Sequence, residues 1–348
     1  MNDYLIGEIS PRNKQEMLIV EGLLEQEGIT LDANLDYTCG VFDRNRKLVA
    51  TGSCFKNSLR CIAIDEHYQG EGIMNQLISH LIQYQFERGN DHLFVYTKKE
   101  TAIFFEDLGF YTIAKVDNRL VFLENRRDGF KEYLTNLVQT PADKNTVAAI
   151  VMNANPFTFG HQKLIEKAAA ENDWLHLFMV SEDESLVPYA VRKKLMMEGT
   201  QHLKNISYQE TGSYLISMAI FPSYFLKEEN QVIDAQASLD GTIFANISQQ
   251  LGIQRRYMGT EPTSRVTELY NQNTIKELAK VGVEVVIVPR FEAEGEMISA
   301  STVRQLLVDH QFAQVAEYVP KTTLAFFETA AGQKIIDQMS LAKEIKHY

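Results

Sequence analysis

Asn153-Ala154-Asn155-Pro156-Phe157-Thr158-Phe159-Gly160-His161 follows an apolar run at 147–152 and precedes a helical pattern at 162–170. A buried strand that runs through a tight turn into a helix presents free backbone N–H groups and the positive end of the helix dipole to an anion. Gly160 lets the main chain approach that anion closely, and a ring N–H of His161 can reach a bridging phosphate oxygen. The segment therefore predicts a phosphate-binding turn between a strand and a helix.

A second candidate phosphate-binding segment is Ile298-Ser299-Ala300-Ser301-Thr302-Val303-Arg304. Its hydroxyl side chains stand just before an apolar periodic run, where such residues cap the start of a helix. Taken alone, this pattern is an ordinary helix start. Arg304 lies in the first turn, and its guanidinium can hold two phosphate oxygens in a bidentate geometry that lysine cannot match. We therefore expect Arg304 to hold the outer phosphates of a nucleotide.

Length and composition exclude several classes of protein. The chain has 348 residues, which favours two domains, and its formal net charge of −12 argues against a non-specific nucleic-acid surface. No apolar run approaches the roughly 18 residues of a spanning helix and the first residues resemble no signal peptide, so we expect a cytoplasmic protein without a membrane partner. The three cysteines lack C-x-x-C spacing and the eight histidines form no ligand cluster, so no metal site is predicted.

The pattern of apolar runs predicts two domains joined by a linker: residues 1–127, a linker helix and loop at 128–145, and residues 146–348. After residue 146, strand-like runs (147–152, 174–180, 206–209, 283–288) alternate with helical runs (191–202, 274–280). This alternation is typical of an α/β fold with a doubly wound, Rossmann-like parallel sheet, whose ligands bind at the carboxyl ends of the strands. Both phosphate-binding segments lie at such ends.

The two segments together resemble the signatures of the nucleotidylyltransferase superfamily. Thr158-x-Gly160-His161 resembles its T-x-G-H motif and 298–304 resembles its I-S-S-T-x-x-R motif, in the expected order. The resemblance implies a domain that opens the α–β bond of a nucleoside triphosphate, with His161, Thr158 and Arg304 as catalytic residues. It implies an ATP site that also includes Asn155, Phe157, Gly160, Arg192, Ser299, Ser301 and Thr302. For Arg192, a solvated position on its helix is an equal alternative.

The N-terminal part resembles the Gcn5-related N-acetyltransferases over roughly residues 1–125. Their acyl-CoA-binding motif, Q/R-x-x-G-x-G/A, is similar to the segment with Gln69, Gly70 and Gly72, which precedes a helical run at 75–88. A glycine turn at a helix start can wrap backbone amides around a pyrophosphate, so the resemblance implies a mixed α/β domain that binds a CoA-like group through these three residues. Met74 departs from the motif, where the family has Gly or Ala, and narrows the room for a pyrophosphate. A purely structural glycine loop is the alternative.

An acetyltransferase-like domain followed by a nucleotidylyltransferase domain is similar to the architecture of the citrate lyase ligases. The segments 256–262 and 270–272 also look like that family's sequences. The resemblance implies an enzyme that uses acetate and ATP, with Mg²⁺, to acetylate a thiol, and that releases AMP and pyrophosphate. The thiol belongs to the CoA-derived prosthetic group on the acyl carrier subunit of citrate lyase.

Two alternatives remain at this point. One is a nucleotidylyltransferase for a phosphorylated small molecule, with the N-terminal domain as a separate acetyltransferase. The other is a non-catalytic sensor of nucleotide or acyl-CoA. His161, Thr158 and Arg304 argue against a sensor, since a sensor needs no groups that stabilise a departing pyrophosphate.

Overall fold

The computed structural model of the protein describes residues 4–116, 119–215, 221–222, 224, 226, 229–260, 265–293 and 296–345. The chain packs as two compact units. Unit 1 is Met1–Tyr133 with Ile220–Thr242, and unit 2 is Leu134–Ala219 with Ile243–Tyr348. None of the helices within the described ranges is both long enough and apolar enough to cross a bilayer.

Unit 1 contains a seven-stranded mixed sheet in the order β1-β2-β3-β4-β5-β7-β6. Neighbouring strands are antiparallel except β4 and β5, which are parallel. The strands are β1 (Leu5–Glu8), β2 (Tyr37–Phe42), β3 (Leu48–Phe55), β4 (Ser58–Ile64), β5 (Phe94–Thr97), β6 (Tyr111–Val116) and β7 (Leu120–Glu124), and the helices are α1 (Lys14–Gln26), α2 (Ile73–Glu87), α3 (Lys99–Glu106) and α4 (Gly129–Asn136). All eight residues of β3 are buried, and α1 and α2 pack against that strand.

The central strands of unit 1 separate along their length. The register of β4 and β5 pairs Ser58 with Phe94 and Leu59 with Val95, and the two strands then continue to Ile64 and Thr97 without further pairing, although both are described in full. The helix α2 begins beside this opening. Its apolar residues recur at helical spacing, so one face is buried in the core of the unit.

Unit 2 contains a five-stranded sheet in the order β10-β9-β8-β11-β12, and every neighbouring pair is parallel. The strands are β8 (Val147–Met152), β9 (Trp174–Met179), β10 (Ile206–Glu210), β11 (Arg255–Gly259) and β12 (Glu284–Val288), followed by the short β13 (Glu292–Ala293) and β14 (Glu296–Met297). The central strands β8 and β9 are nearly continuous apolar runs, as expected for strands covered on both faces. This unit confirms the predicted doubly wound parallel sheet.

The remaining helices are α5 (Phe159–Ala170), α6 (Tyr189–Gly199), α7 (Glu229–Leu251), α8 (Arg265–Ala279), α9 (Ala300–Val308), α10 (Phe312–Tyr318), α11 (Lys321–Phe327) and α12 (Ala330–Ile345). The helices α9 to α12 share a second apolar core of unit 2, built from residues such as Val303, Phe327 and Ile336. This core holds α9 in place, because Val303 and Leu307 on one face of that helix are fully buried in it.

One segment from the later part of the chain packs with unit 1. Residues 220–242, which the sequence places after the start of the second domain, belong to unit 1. The reason is that chain order does not fix packing: α7 is a continuous helix whose first part lies in unit 1 and whose last part lies in unit 2. The predicted domain boundaries at 127 and 146 stay a prediction.

Candidate functional site

The candidate site lies where the strand order of unit 2 reverses. From β8 the chain moves outward through β9 and β10, and it returns to add β11 and β12 on the other side of β8. Such a switch point leaves a crevice at the carboxyl ends of the two central strands, where open α/β sheets bind their ligands. The loop 153–158 leaves the carboxyl end of β8 at this point.

Thr158 and His161 form a reciprocal cap at the start of α5. The Thr158 hydroxyl accepts a hydrogen bond from the His161 backbone N–H, and His161 Nδ1 accepts one from the Thr158 backbone N–H at 3.1 Å. A backbone N–H can only donate, so Nδ1 carries the lone pair and the proton of the neutral ring sits on Nε2. The Thr158 hydroxyl lies 2.9 Å from the same Nδ1 and can donate to it as well.

The charge state of His161 follows from its surroundings. Burial, and to a smaller extent the positive charge of Arg290, lower the pKa of His161 to about 4. The imidazole is therefore neutral at pH 7, and it offers a single N–H donor, on Nε2, to an anion. This is the donor that the sequence analysis assigned to the bridging phosphate oxygen.

Side-chain and backbone bonds fix the loop that precedes α5. Asn153 Nδ2 donates to Ser185 Oγ at 2.9 Å, and the backbone N–H of Val187 donates to Asn155 Oδ1 at 3.0 Å. The side chain of Asn155 is thus engaged with the segment that leads into α6. We expect Asn155 to shape the nucleotide site through the backbone rather than through its amide.

Arg192 is fully buried, which excludes the solvated alternative, and its assignment to the ATP site stays a prediction. Its guanidinium donates to the carbonyl oxygens of Asn153, Val180 and Val187 at 2.9–3.0 Å, and also to Glu182 O. These bonds tie the end of β8 to the segment after β9. Because its donors are turned to the backbone, we expect Arg192 to support the site without contacting ATP.

Phe157, another predicted ATP-binding residue, is also fully buried. Its ring lies against Gly199, where an added Cβ would come within 2.4 Å of Cε1, and it stacks on His161 with 6.0 Å between ring centroids. We expect Phe157 to hold the imidazole of His161 in place by stacking on it, rather than to contact a ligand.

The second segment meets the first in space. Ser299 caps α9 by accepting from the backbone N–H of Ser301. Ile298 lies against Gly160, whose missing Cβ would sit 3.5 Å from Ile298 Cγ2, and Arg304 Nη1 donates to the carbonyl oxygen of Asn155 at 2.6 Å. The structure therefore brings the starts of α5 and α9 together at one place.

The polar groups of the second segment differ in exposure. Ser301 is exposed, Ser299 and Thr302 are partly exposed, and Arg304 is partly exposed with a pKa that burial lowers. A partly desolvated guanidinium interacts more strongly with phosphate than a fully solvated one. These residues are thus accessible to a nucleotide, and their assignment to the ATP site stays a prediction.

Unit 1 has a cavity of its own, of about 390 Å³, at the opening between β4 and β5. Gln69, Gly70 and Gly72 line it, and Gly72 caps α2 in the left-handed conformation with φ of +79°. A Cβ on Gly70 or Gly72 would meet open space, so the glycines are needed for their backbone angles rather than for lack of room. Met74 also lines the cavity, where the motif has a small residue.

Comparison with known proteins identifies the family. The family described as "Citrate lyase ligase C-terminal domain" matches residues 147–327, and the "Acetyltransferase (GNAT) family" matches residues 9–110. Citrate (pro-3S)-lyase ligase of Escherichia coli K12 is 38% identical over 336 residues, which cover 94% of this chain and 94% of that protein. The protein of the same name from Haemophilus influenzae is 36% identical over 321 residues, 90% of this chain and 96% of its own.

This chain belongs to the citrate lyase ligase family. It is accordingly an enzyme, and the family assignment removes the support for a non-catalytic sensor. Among solved structures, Thermotoga maritima TmcAL bound with alpha-thio ATP aligns at 10% identity and a TM-score of 0.39, covering 55% of this chain and 57% of that chain. An acyl-CoA N-acyltransferase of Klebsiella pneumoniae aligns at 19% identity and a TM-score of 0.30, covering 35% of this chain and 95% of that chain.

Arg290 is a residue of the site that the sequence motifs did not indicate. The residue follows β12 at its carboxyl end, its backbone N–H donates to Thr260 Oγ1 at 3.0 Å, and its charge acts on His161. The available signal was its place after the strand-like run 283–288, at the same edge of the sheet as His161. Glu261 and Pro262, which support the family resemblance in sequence, lie outside the described residues.

Proposed function

We propose that this citrate lyase ligase joins acetate to the thiol of the CoA-derived prosthetic group on the acyl carrier subunit of citrate lyase. Unit 2 forms acetyl-adenylate from acetate and ATP and releases pyrophosphate, and the thiol then takes the acetyl group and releases AMP. The reaction takes place in the cytoplasm. The names of the curated relatives support citrate lyase as the target, and the site in unit 2 supports the adenylation step.

The observation that carries the proposal is the meeting of the two phosphate-binding segments. The hydrogen bond from Arg304 to the Asn155 carbonyl and the contact of Ile298 with Gly160 place a guanidinium, a neutral imidazole and two helix N-termini around one crevice. Such a set of donors suits a triphosphate, because each donor can stabilise negative charge that moves onto the leaving pyrophosphate.

In the first step, a carboxylate oxygen of acetate attacks the α-phosphorus and the bond from that phosphorus to the α–β bridging oxygen breaks. Negative charge grows on the bridging oxygen, and the Nε2–H of His161 donates to it. Arg304, with the hydroxyls of Ser301 and Thr302, holds the β- and γ-phosphates. Acetate is already ionised at pH 7, so the step needs positioning and charge stabilisation and no general base.

Thr158 acts through His161 in this scheme. By donating its backbone N–H to Nδ1, it keeps the ring proton on Nε2, where the leaving group needs it. A protonated imidazole would gain charge but lose the Thr158 bond, and the low pKa of His161 disfavours that state.

In the second step, the thiolate of the prosthetic group attacks the carbonyl carbon of acetyl-adenylate, and the carbon–oxygen bond to AMP breaks. A thiolate is a strong nucleophile, so orientation of the arm is the main requirement. We assign that task to the cavity of unit 1, with the pyrophosphate of the arm at the glycine turn of Gln69, Gly70 and Gly72. Glu71 in this turn accepts a hydrogen bond from the hydroxyl of Tyr4, which fixes that carboxylate.

The proposal includes Mg²⁺ bound to the phosphates of ATP. Neither segment 153–161 nor segment 298–304 contains a carboxylate; the first has side-chain amide and hydroxyl oxygens, and the second has hydroxyl oxygens only. Mg²⁺ commonly binds substrate phosphates and keeps several waters. When bound, it would neutralise charge on the phosphates, while the residues named above orient them.

The proposal is tested by measuring pyrophosphate release from ATP with a panel of short carboxylic acids, each with and without deacetylated citrate lyase. We expect release that depends on acetate, and sustained turnover when the thiol acceptor is present. Release that instead requires a phosphorylated co-substrate would contradict the proposal and favour a nucleotidylyltransferase for a small molecule.

A further inference from the structure

The residues that line the cavity of unit 1 divide into an exposed set, which we take as its mouth, and a buried set, which we take as its inner end. Gln69, Gly70 and Gly72 at one end are exposed, and so is Phe104, with 52% of its surface accessible. At the other end Leu59, Val95, Tyr96 and Tyr224 are all buried. A long ligand whose phosphates lie at the glycine turn would therefore have its opposite terminus at the buried end.

Tyr224 forms part of that buried end. Its hydroxyl donates to the carbonyl oxygen of Tyr96 in β5 at 3.0 Å, and its own carbonyl oxygen accepts from the backbone N–H of Thr30 at 2.6 Å and from the Thr30 hydroxyl at 3.0 Å. Hydrogen bonds thus hold both the side-chain hydroxyl and the backbone carbonyl of Tyr224, and 7% of the residue's surface is accessible. Tyr224 lines the cavity and its hydroxyl is engaged with Tyr96, so we take its ring as the part that faces the cavity.

Tyr224 lies between β10 and α7 in the chain, after three of the five parallel strands of unit 2. Residues 220–242 belong to unit 1, where Phe221 packs edge-on against Tyr96 with 6.1 Å between ring centroids. Asp234 of α7 forms an ion pair with Arg119 in the same unit. The segment therefore contacts unit 1 at several separate points, and these contacts hold Tyr224 in the cavity wall.

We propose that Tyr224 is the inner wall of the pocket that receives the acetylated thiol end of the CoA-derived arm after the transfer step, and that its ring sets the length of the acyl group that fits there. The inference rests on the proposed function, which places the arm in this cavity. An acetyl group adds little beyond the thiol, whereas a longer chain extends along the axis of the pocket into the ring. A well-packed wall rejects added methylenes, because neighbouring side chains would have to move.

The test measures the dissociation constants of the full-length protein for CoA, acetyl-CoA, butyryl-CoA and hexanoyl-CoA by isothermal titration calorimetry. We expect hexanoyl-CoA to bind the wild-type protein about tenfold or more weakly than acetyl-CoA, the discrimination that an apolar pocket achieves on size. Tyr224→Ala should reduce this ratio to about threefold or reverse it, because the space left by the ring accepts the longer chain.

Two control variants separate the role of the wall from other effects. Tyr224→Phe keeps the ring and loses only the bond to Tyr96, so it should keep the wild-type dependence on chain length. Phe104→Ala removes an aromatic ring at the mouth, and it should change all four dissociation constants by a similar factor. Circular dichroism and a melting curve check that each variant is folded.

The outcomes distinguish the inference from the function on which it rests. If the wild-type protein binds none of the four ligands, the cavity does not hold a CoA-like group, and both the role of unit 1 and the inference are wrong. Suppose that the wild-type protein binds them, but Tyr224→Ala keeps the dependence on chain length or Tyr224→Phe loses it. The assignment of Tyr224 as the inner wall is then wrong, while the role of unit 1 stands. Should Tyr224→Ala not fold, a retained length dependence in Tyr224→Leu, which shortens the wall, would overturn the inference.

Discussion

Thr158 decides which ring nitrogen of His161 carries the proton. In a capping box the third position of the helix is usually Glu or Gln, and here the imidazole of His161 takes that place. The same bond that caps α5 therefore fixes the tautomer of the residue to which we assign charge stabilisation. One pair of residues serves both the fold and the proposed chemistry.

We predict that His161→Ala slows acetate-dependent pyrophosphate release by roughly two to four orders of magnitude, the usual loss for a single preorganised donor. His202→Ala is the matched control, because His202 is a half-exposed histidine of the same unit that contacts Glu166. The control should keep the wild-type rate. A folded His161→Ala protein with a near-normal rate would remove His161 from the catalytic set.

Other residues of the site show what a sequence cannot reveal. The motifs located Thr158, Gly160, His161 and Arg304 at one crevice, because strand ends and helix starts can be read from local patterns. Burial depends on residues that are far apart in the chain. For that reason the complete burial of Arg192 among backbone carbonyls could not be predicted.

Among the elements, α2 has an unusual start. Gly72 is its N-cap in the left-handed conformation, where residues other than glycine are strained, and no side chain caps the helix there. No side chain at the N-cap therefore accepts from the first backbone N–H groups of α2, and these groups lie at the mouth of the cavity. This is the arrangement that the glycine motif predicted.

We predict that Gly72→Ala and Gly89→Ala lower the free energy of unfolding by a similar amount, about 1–2 kcal/mol, but differ in their effect on ligand binding. Gly89 follows the other end of α2, has φ of +82° against +79° for Gly72, and likewise has open space around an added Cβ. Only Gly72→Ala should weaken CoA binding and acetyl transfer to the thiol. Equal binding by the two variants would show that the glycine turn is purely structural.

The strand β9 carries a buried histidine that belongs to no proposed step. His176 Nδ1 lies 2.7 Å from Ser207 Oγ and 3.1 Å from Gln209 Nε2, and His176 Nε2 lies 2.8 Å from Thr140 Oγ1, which precedes β8. Gln209 Nε2 can only donate, so Nδ1 accepts and the neutral ring donates from Nε2. Burial lowers the pKa of His176 to about 4.

This lowered pKa predicts a loss of stability in mild acid. The unfolded chain takes up a proton on this histidine near its ordinary pKa of about 6.5, whereas the folded chain resists protonation until about pH 4. Stability should therefore fall as the pH decreases from about 6.5 to 4, by up to roughly 3 kcal/mol from this residue. His176→Asn should be less stable at pH 7 and show a flatter pH dependence in urea titrations. An unchanged slope would contradict this explanation.

The elements that the sequence predicted well are those with strong local patterns. The apolar run 147–152 has the same bounds as β8, and β12 begins one residue after the start of the run 283–288. The long helix α7 was not predicted. Its first part belongs to unit 1 and its last part to unit 2, a division that depends on contacts between residues far apart in the chain.

For the whole molecule, the two families that match the chain cover different halves of one enzyme. The order of the two domains could be read from motifs, and the family resemblance is confirmed by relatives that align over nearly the full length. Motifs did not show that residues 220–242 return to unit 1, since that depends on long-range contacts such as Tyr224 with Tyr96. Composition located neither the cavity nor its inner wall.

The most direct test of the account uses acetate with ¹⁸O in both carboxylate oxygens, together with ATP, the wild-type protein and deacetylated citrate lyase. If acetyl-adenylate forms in unit 2, one acetate oxygen stays on the α-phosphorus when the thiol takes the acetyl group. We therefore predict that mass spectrometry finds one ¹⁸O in each AMP formed. Unlabelled AMP, or label in inorganic phosphate released with ADP, would contradict the account.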